Sequence, residues 1–213
     1  MNGHLFKMNT LTDNKKTNIS VCVFCSSSDH VAGIYTQTAR NLGVSLVAQG
    51  MTLVYGGGNN GLMGVLSESV HNIGGRITGV IPSRLNDLGF AYEGADEMIV
   101  TDGMRDRKAV MEERADGFIG MPGGFGTLEE MLEIITLRQL KIHEKPVVFL
   151  NVNGFFDGLL MQFETGYREF FIDEDCRNLY HVTDSIGDAL NYIVKNIENR
   201  QGNVSGKMCM ETG

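Results

Sequence analysis

Seven short, nearly continuous apolar runs alternate with segments of helical period along this 213-residue chain, and that alternation restricts the fold more than any other feature. The runs fall at 19–25, 51–55, 76–81, 97–100, 117–121, 146–151 and 180–182. A strand that is apolar on both faces must be covered on both faces, the situation of a parallel sheet flanked by helices. Helical patterns are read over 31–49, 61–73, 103–115, 127–140, 155–170 and 184–199, with Gly50 and Gly74-Gly75 as stops. Residues 82–95 read as a loop beginning at Pro82. The predicted fold is therefore α/β: a doubly wound parallel sheet in a single domain over 19–199, with polar, flexible tails at 1–18 and 200–213. Ligands of such sheets bind at the carboxyl ends of the strands, near the point where the strand order reverses.

A net charge of −8 speaks against a nucleic-acid surface. No apolar stretch of about 18 residues exists, so no membrane span is expected. Residues 1–18 lack the apolar core of a signal peptide, and a cytoplasmic location is expected. Among the four cysteines, Cys22 and Cys25 form a C-x-x-C. They sit in the first strand pattern, where residues three apart point to opposite faces, so two buried thiols are expected rather than a metal or redox pair. Cys176 and Cys209 have no cysteine neighbours.

The stretch Met121-Pro122-Gly123-Gly124-Phe125-Gly126-Thr127-Leu128-Glu129-Glu130 joins the fifth strand to a helix. Glycines at such a turn let a ligand approach the backbone, and the free N–H groups of the helix start favour an anion. Glu130 is an unusual companion for an anion cradle and suggests chemistry. It also completes the capping box Thr127-x-x-Glu130, in which Thr127 caps the helix and Glu130 reaches back to the Thr127 N–H. A second turn, Gly56-x-Gly58-x-x-Gly61, matches the dinucleotide fingerprint in form. The next strand lacks the carboxylate that would bind a ribose, and the match falls on the second strand rather than the first. It is read either as a tight turn or as a nucleotide or phosphate contact without redox chemistry.

Met104, Arg107, Lys108 and Met111 fall on one face of a helix. Two cations in a packing stripe fit either a site facing an anion or side chains whose stems run along the core to water. There is no G-x-x-x-x-G-K-[ST], no H-E-x-x-H and no G-x-S-x-G, and the five histidines are scattered, which disfavours a P-loop, a metal site and a serine triad.

Pro122-Gly123-Gly124-Phe125-Gly126-Thr127-Leu128-Glu129-Glu130 has the form P-G-G-x-G-T-x-x-E, and Met104-Arg105-Asp106-Arg107-Lys108 the form M-x-x-R-K. With the Gly56-Gly57-Gly58 turn and Gly79-Val80-Ile81-Pro82, the chain resembles the LOG ("lonely guy") family over about residues 19–195. Its members are cytokinin riboside 5′-monophosphate phosphoribohydrolases, long mislabelled as lysine decarboxylases. The resemblance implies a Rossmann-like fold, dimers or larger homo-oligomers with sites near the interface, and no metal or organic cofactor. It implies hydrolysis of the N-glycosidic bond of a purine nucleoside 5′-monophosphate, AMP or an N6-modified AMP. Arg107 and Glu130 would be the catalytic pair. Gly57, Gly58, Met104, Lys108, Gly123, Gly124, Gly126, Thr127 and Thr136 would contact the nucleotide. The family often has an acidic residue after V-I-P-x-x-L where this chain has Gly89, with Asp87 and Glu93 nearby. The competing expectation is a carrier of the same fold that holds a nucleotide or molybdenum cofactor without cleaving it. Lysine decarboxylation would need a lysine Schiff base, and Lys108 beside Arg107 reads better as an anion contact.

Overall fold

The computed structural model describes residues 19–208, as backbone alone from 201 onward. Strands β1 (Ser20–Phe24), β2 (Thr52–Tyr55), β3 (Ile77–Pro82), β4 (Glu97–Thr101), β5 (Gly117–Gly120), β6 (Val147–Leu150) and β7 (His181–Thr183) form one sheet. Its order is β4-β3-β2-β1-β5-β6-β7, and every adjacent pair is parallel. The helices are α1 (Gly33–Ala48), α2 (Gly61–His71), α3 (Ser83–Asp87), α4 (Met104–Arg114), α5 (Phe125–Gln139), α6 (Asp157–Arg168) and α7 (Ile186–Met208). The chain winds outward from β1 to β4, then returns to pair β5 on the other side of β1. That reversal opens a crevice at the carboxyl ends of β1 and β5.

Strand β1 shows why the sheet is doubly covered. Val21, Val23 and Cys25 join the apolar cluster built with Leu42 and Leu46 of α1, Leu66 of α2 and Leu190 of α7. Cys22 and Phe24 join the opposite cluster with Met111 of α4, Met131 of α5 and Phe156 before α6. The two cysteines therefore lie on opposite faces as buried free thiols. Burial pushes both thiols well above their ordinary range, so neither is a ready nucleophile. Cys209 lies outside the described residues, as do residues 1–18. Among the described residues, no helix is long and apolar enough to cross a membrane. No group of His, Cys, Asp and Glu among them could hold a metal ion.

Three local features differ from the sequence reading. The expected loop over 82–95 contains α3, whose five residues are too few to show a helical period. Helix α5 begins at Phe125 rather than Thr127, because Gly124 takes the N-cap position in extended conformation. Helix α7 continues to Met208, past the expected end at 199, with no proline to stop it.

Candidate active site

The crevice holds a cleft of about 560 Å³, within the usual range for small-molecule sites. It runs across the carboxyl ends of β5, β1, β2 and β3. Its walls come from the start of α5, the Ser26–Ser28 loop after β1, the Gly56–Asn60 turn after β2 and the segment after β3. Among the described residues, the only charged side chains in those walls are Arg107 and Glu130.

These two meet from different helices. Arg107 Nη1 donates to Glu130 Oε1 at 3.0 Å, and Arg107 Nε donates to the Val80 carbonyl at 3.0 Å. Both residues are only 8% exposed. The pair is held in place by the sheet. The Val80 carbonyl belongs to β3, and a Cβ on Gly56 would stand 1.8 Å from Arg107 Nη2. Glycine at 56 is thus the space in which the guanidinium lies. Burial pushes the Glu130 carboxyl upward, and the Arg107 charge pulls it back. A carboxylate buried in a cleft, fixed by a guanidinium and opposed by its own desolvation, makes a functional-site candidate. The capping-box expectation is corrected here. Thr127 is the third residue of α5, not its cap, no side chain caps the helix, and Glu130 turns to Arg107 instead.

The start of α5 is open toward the cleft. The first backbone bond into the helix is from the Leu128 N–H to the Gly124 carbonyl, at 3.1 Å. Among the described residues, the N–H groups of Phe125, Gly126 and Thr127 have no protein acceptor. A Cβ at Gly124 or Gly126 would meet nothing within 4 Å, and neither residue has a positive φ. The protein's own packing does not require glycine at either place; what glycine leaves there is room against the backbone. Gly123 differs, since its Cβ would fall 2.1 Å from Thr127 Oγ1. Gly126→Ala is therefore expected to keep or raise the melting temperature, because alanine is the better helix former. It should raise KM for an anionic substrate about tenfold by crowding one charge-assisted bond. A fall in stability with KM unchanged would mark the glycine as structural.

The other glycine turn is closed. The Gly61 N–H donates to Asp29 Oδ1 at 2.7 Å, and the Leu62 and Met63 N–H groups donate to the Ser26 carbonyl at 2.9 and 3.3 Å. The first turn of α2 is satisfied by the loop after β1, so the Gly56-x-Gly58-x-x-Gly61 match presents no open cradle for a pyrophosphate. Of the two glycine-rich turns, the one that opens α5 is left for an anion.

Residues 63–193 match the family described as "Possible lysine decarboxylase". A probable cytokinin riboside 5′-monophosphate phosphoribohydrolase, LOG4 of Oryza sativa subsp. japonica, is 44% identical over 171 residues, covering 80% of this chain and 74% of that protein. The chain belongs to the LOG family. The cytokinin riboside 5′-monophosphate phosphoribohydrolase LOG2 of Arabidopsis thaliana is 44% identical over 159 residues, covering 75% of each chain. Among solved structures, the molybdenum cofactor binding protein of Rippkaea orientalis superposes with a TM-score of 0.66 at 22% identity. It covers 85% of this chain and 98% of its own, and shares the Rossmann-like fold.

Of the site residues expected for a LOG protein, the structure brings Arg107, Glu130, Gly58, Gly124, Gly126 and Thr127 to the cleft. Gly57 and Gly123 support its walls from behind. Gly57 takes φ +71°, and its carbonyl accepts the Tyr92 N–H at 2.9 Å. Met104, Lys108 and Thr136 stand outside the cleft of a single chain. Lys108 Nζ pairs with Glu129 and, at 2.8 Å, with Glu133; burial disfavours its charge, but the two carboxylates outweigh that and raise it. Thr136 Oγ1 donates to the Leu132 carbonyl at 2.7 Å. The sequence reading passed over Ser26, Ser27 and Ser28, and also Leu85 and Phe90. The serines follow β1, and only the strand order shows that β1 borders the reversal point.

Proposed function

We propose that the protein hydrolyses the N-glycosidic bond of purine nucleoside 5′-monophosphates, releasing the free base and ribose 5-phosphate. One observation carries the reading: a buried Glu130 held by Arg107, one turn inside a helix whose first three N–H groups are open to the same cleft. The 5′-phosphate sits on the Phe125, Gly126 and Thr127 N–H groups. C1′ then lies near Glu130. As the bond from C1′ to the base lengthens, positive charge gathers on the ribose ring, and the Glu130 carboxylate stabilises it. Glu130 also takes the proton of the attacking water, while the base leaves with the bonding pair and takes a proton from solvent water; Glu130 then returns its own to solvent. Arg107 orients the carboxylate, and its Nη2, lying against Gly56, has donors left for a ribose hydroxyl.

Phosphate held away from the reacting carbon supplies orientation, so nucleosides without it should react poorly. The test is release of adenine from AMP and from adenosine, followed by chromatography without added metal. Comparable rates on the two would overturn the reading. Decarboxylation finds no support in the cleft, since no lysine among the described residues stands in its walls.

The resemblance also implies self-association. Met104 of α4, Leu132 of α5 and Leu140 just after α5 are exposed apolar side chains, and Lys108 ties the two helices together through Glu129 and Glu133. We assign that face to a second copy, and with it Met104, Lys108 and Thr136. Sedimentation should give more than one chain per particle for the wild type and a single chain for Leu132→Glu. A wild-type monomer would refute the assignment.

A further inference from the structure

Helices α4 and α5 carry Arg107 and Glu130, and one short loop away from the cleft holds both helices. The loop joins α5 to β6 and contains His143 and Lys145. His143 is only 7% exposed. Its Nε2 lies 3.1 Å from the Ile134 carbonyl, and its Nδ1 lies 3.1 Å from the Lys145 backbone nitrogen. A carbonyl can only accept and a backbone N–H can only donate, so the imidazole is neutral, with its proton on Nε2. Burial pulls the imidazole pKa below its ordinary value, and the Lys145 and Arg138 charges act the same way against Glu112. Ile134 lies one turn beyond Glu130 on the same face of α5.

Lys145 reaches the other helix. The Glu112 carbonyl is among the last four of α4, which lack a partner inside the helix. The N–H four residues on, that of Asp116, is drawn instead to the Ser20 carbonyl of β1 at 2.8 Å. Lys145 Nζ takes that place, donating to the Glu112 carbonyl at 2.5 Å and to Glu112 Oε1 at 3.4 Å. The aligned peptide dipoles also favour a cation at a helix C-terminus. Lys145 Nζ stands 6.0 Å from the centre of the Phe118 ring, and the His143 ring 5.6 Å from the same ring. Phe118 belongs to β5, and its N–H donates to the Pro146 carbonyl at 2.9 Å. The loop is thus fixed to the sheet and to both helices at once.

The substrate reading given above puts the phosphate and C1′ on α5, at its open N–H groups and at Glu130. Arg107 comes from α4. A slip of α4 against α5 therefore disturbs first the 3.0 Å contact between Arg107 Nη1 and Glu130 Oε1, and not the seat of the phosphate. We infer that Lys145, seated by His143, is a positioning residue for base release: it fixes α4 against α5 and so, through Arg107, the direction of the Glu130 carboxylate. The inference rests on the nucleotide hydrolase reading. Neither side chain stands in the walls of the cleft.

The experiment measures kcat and KM for AMP, the AMP dissociation constant and the melting temperature of wild type, Lys145→Met, Lys145→Arg and His143→Gln, with rates taken well below every melting temperature. Methionine keeps an unbranched stem beside Phe118 but cannot donate, whereas arginine can. Glutamine keeps a donor for the Ile134 carbonyl but offers no acceptor in the place of Nδ1. Lys145→Met should lower kcat about tenfold and leave the dissociation constant within about twofold. Lys145→Arg should keep most of the rate, and His143→Gln should lower kcat in the same direction as Lys145→Met. In the Glu130→Gln background Lys145→Met should cost nothing further, because no carboxylate is left to aim. A lower melting temperature with kcat unmoved, or the same tenfold loss on top of Glu130→Gln, would overturn the inference and leave Lys145 a brace of the fold. If wild type releases no base, the titration of the Glu130 carboxyl, followed by carbon-13 NMR, still decides. The Arg107 charge holds that carboxyl down against burial, so a loosened contact in Lys145→Met should move its midpoint upward. An upward move means that the hydrolase reading alone has failed; an unmoved midpoint means that both have.

Discussion

Glu130→Gln should bind nucleoside monophosphates as the wild type does and release base about a thousandfold more slowly. The amide keeps the shape of the side chain and an oxygen to accept from Arg107 Nη1, so the contact now at 3.0 Å can persist. What it lacks is the negative charge that faces the developing ribose cation and the basic site that takes a proton from water. Titration of AMP binding beside chromatographic base release separates the two contributions. Unchanged turnover would return Glu130 to a purely structural role. The pH profile gives a second reading. Burial raises the Glu130 pKa in the folded protein, so the proton is held to higher pH than on a free glutamate, whose value is about 4.3. Activity that needs the carboxylate should therefore fall with decreasing pH along a limb centred above that value. The limb should disappear in Glu130→Gln.

Gly56→Ala should cost about a hundredfold in kcat with the fold intact. The added Cβ would stand 1.8 Å from Arg107 Nη2 and 3.0 Å from Arg107 Cζ, so the guanidinium must move. Moving it breaks the bond to the Val80 carbonyl or the one to Glu130, and the carboxylate loses its fixed direction. The clash is with the far end of a flexible side chain, not with backbone, so the sheet need not shift. Circular dichroism and the melting temperature should stay near wild type while single-turnover rates fall. Wild-type rates in Gly56→Ala would show that the exact seat of Arg107 is immaterial to the reaction.

Much of the site was legible because short-range chemistry placed it. Gly124, Gly126 and Glu130 belong to one strand–turn–helix, and a helix start whose N–H groups stay free beside glycines suits an anion. Even there the local reading placed the cap three residues too late. Thr127 looked like a cap, but Gly124 took that role and Glu130 was drawn to Arg107. A capping box is a contact between neighbours in sequence, and here a buried counter-ion from another helix outcompeted it. The Arg107–Lys108 ambiguity was settled in the same way. One cation turns inward to Val80 and Glu130, the other outward to Glu129 and Glu133. Helical period puts both on one stripe and cannot separate them.

The sequence by itself determined the α/β class, the seven strands and the opposed burial of Cys22 and Cys25. The strands and the cysteines follow from the pattern within a single segment, where the backbone dictates the direction of each side chain, and the class from the alternation of such segments. The tertiary structure decided which helix start is open. The loop after β1 reaches α2 through Asp29 and Ser26 and fills its donors, while α5 is left free. It also decided that Leu85 and Phe90 line the cleft, through a five-residue helix and a glycine at positive φ that no periodic pattern reveals. The reason is the same in each case. These contacts join segments far apart in the chain, and their partners are set by the order in which parallel strands pack beside one another.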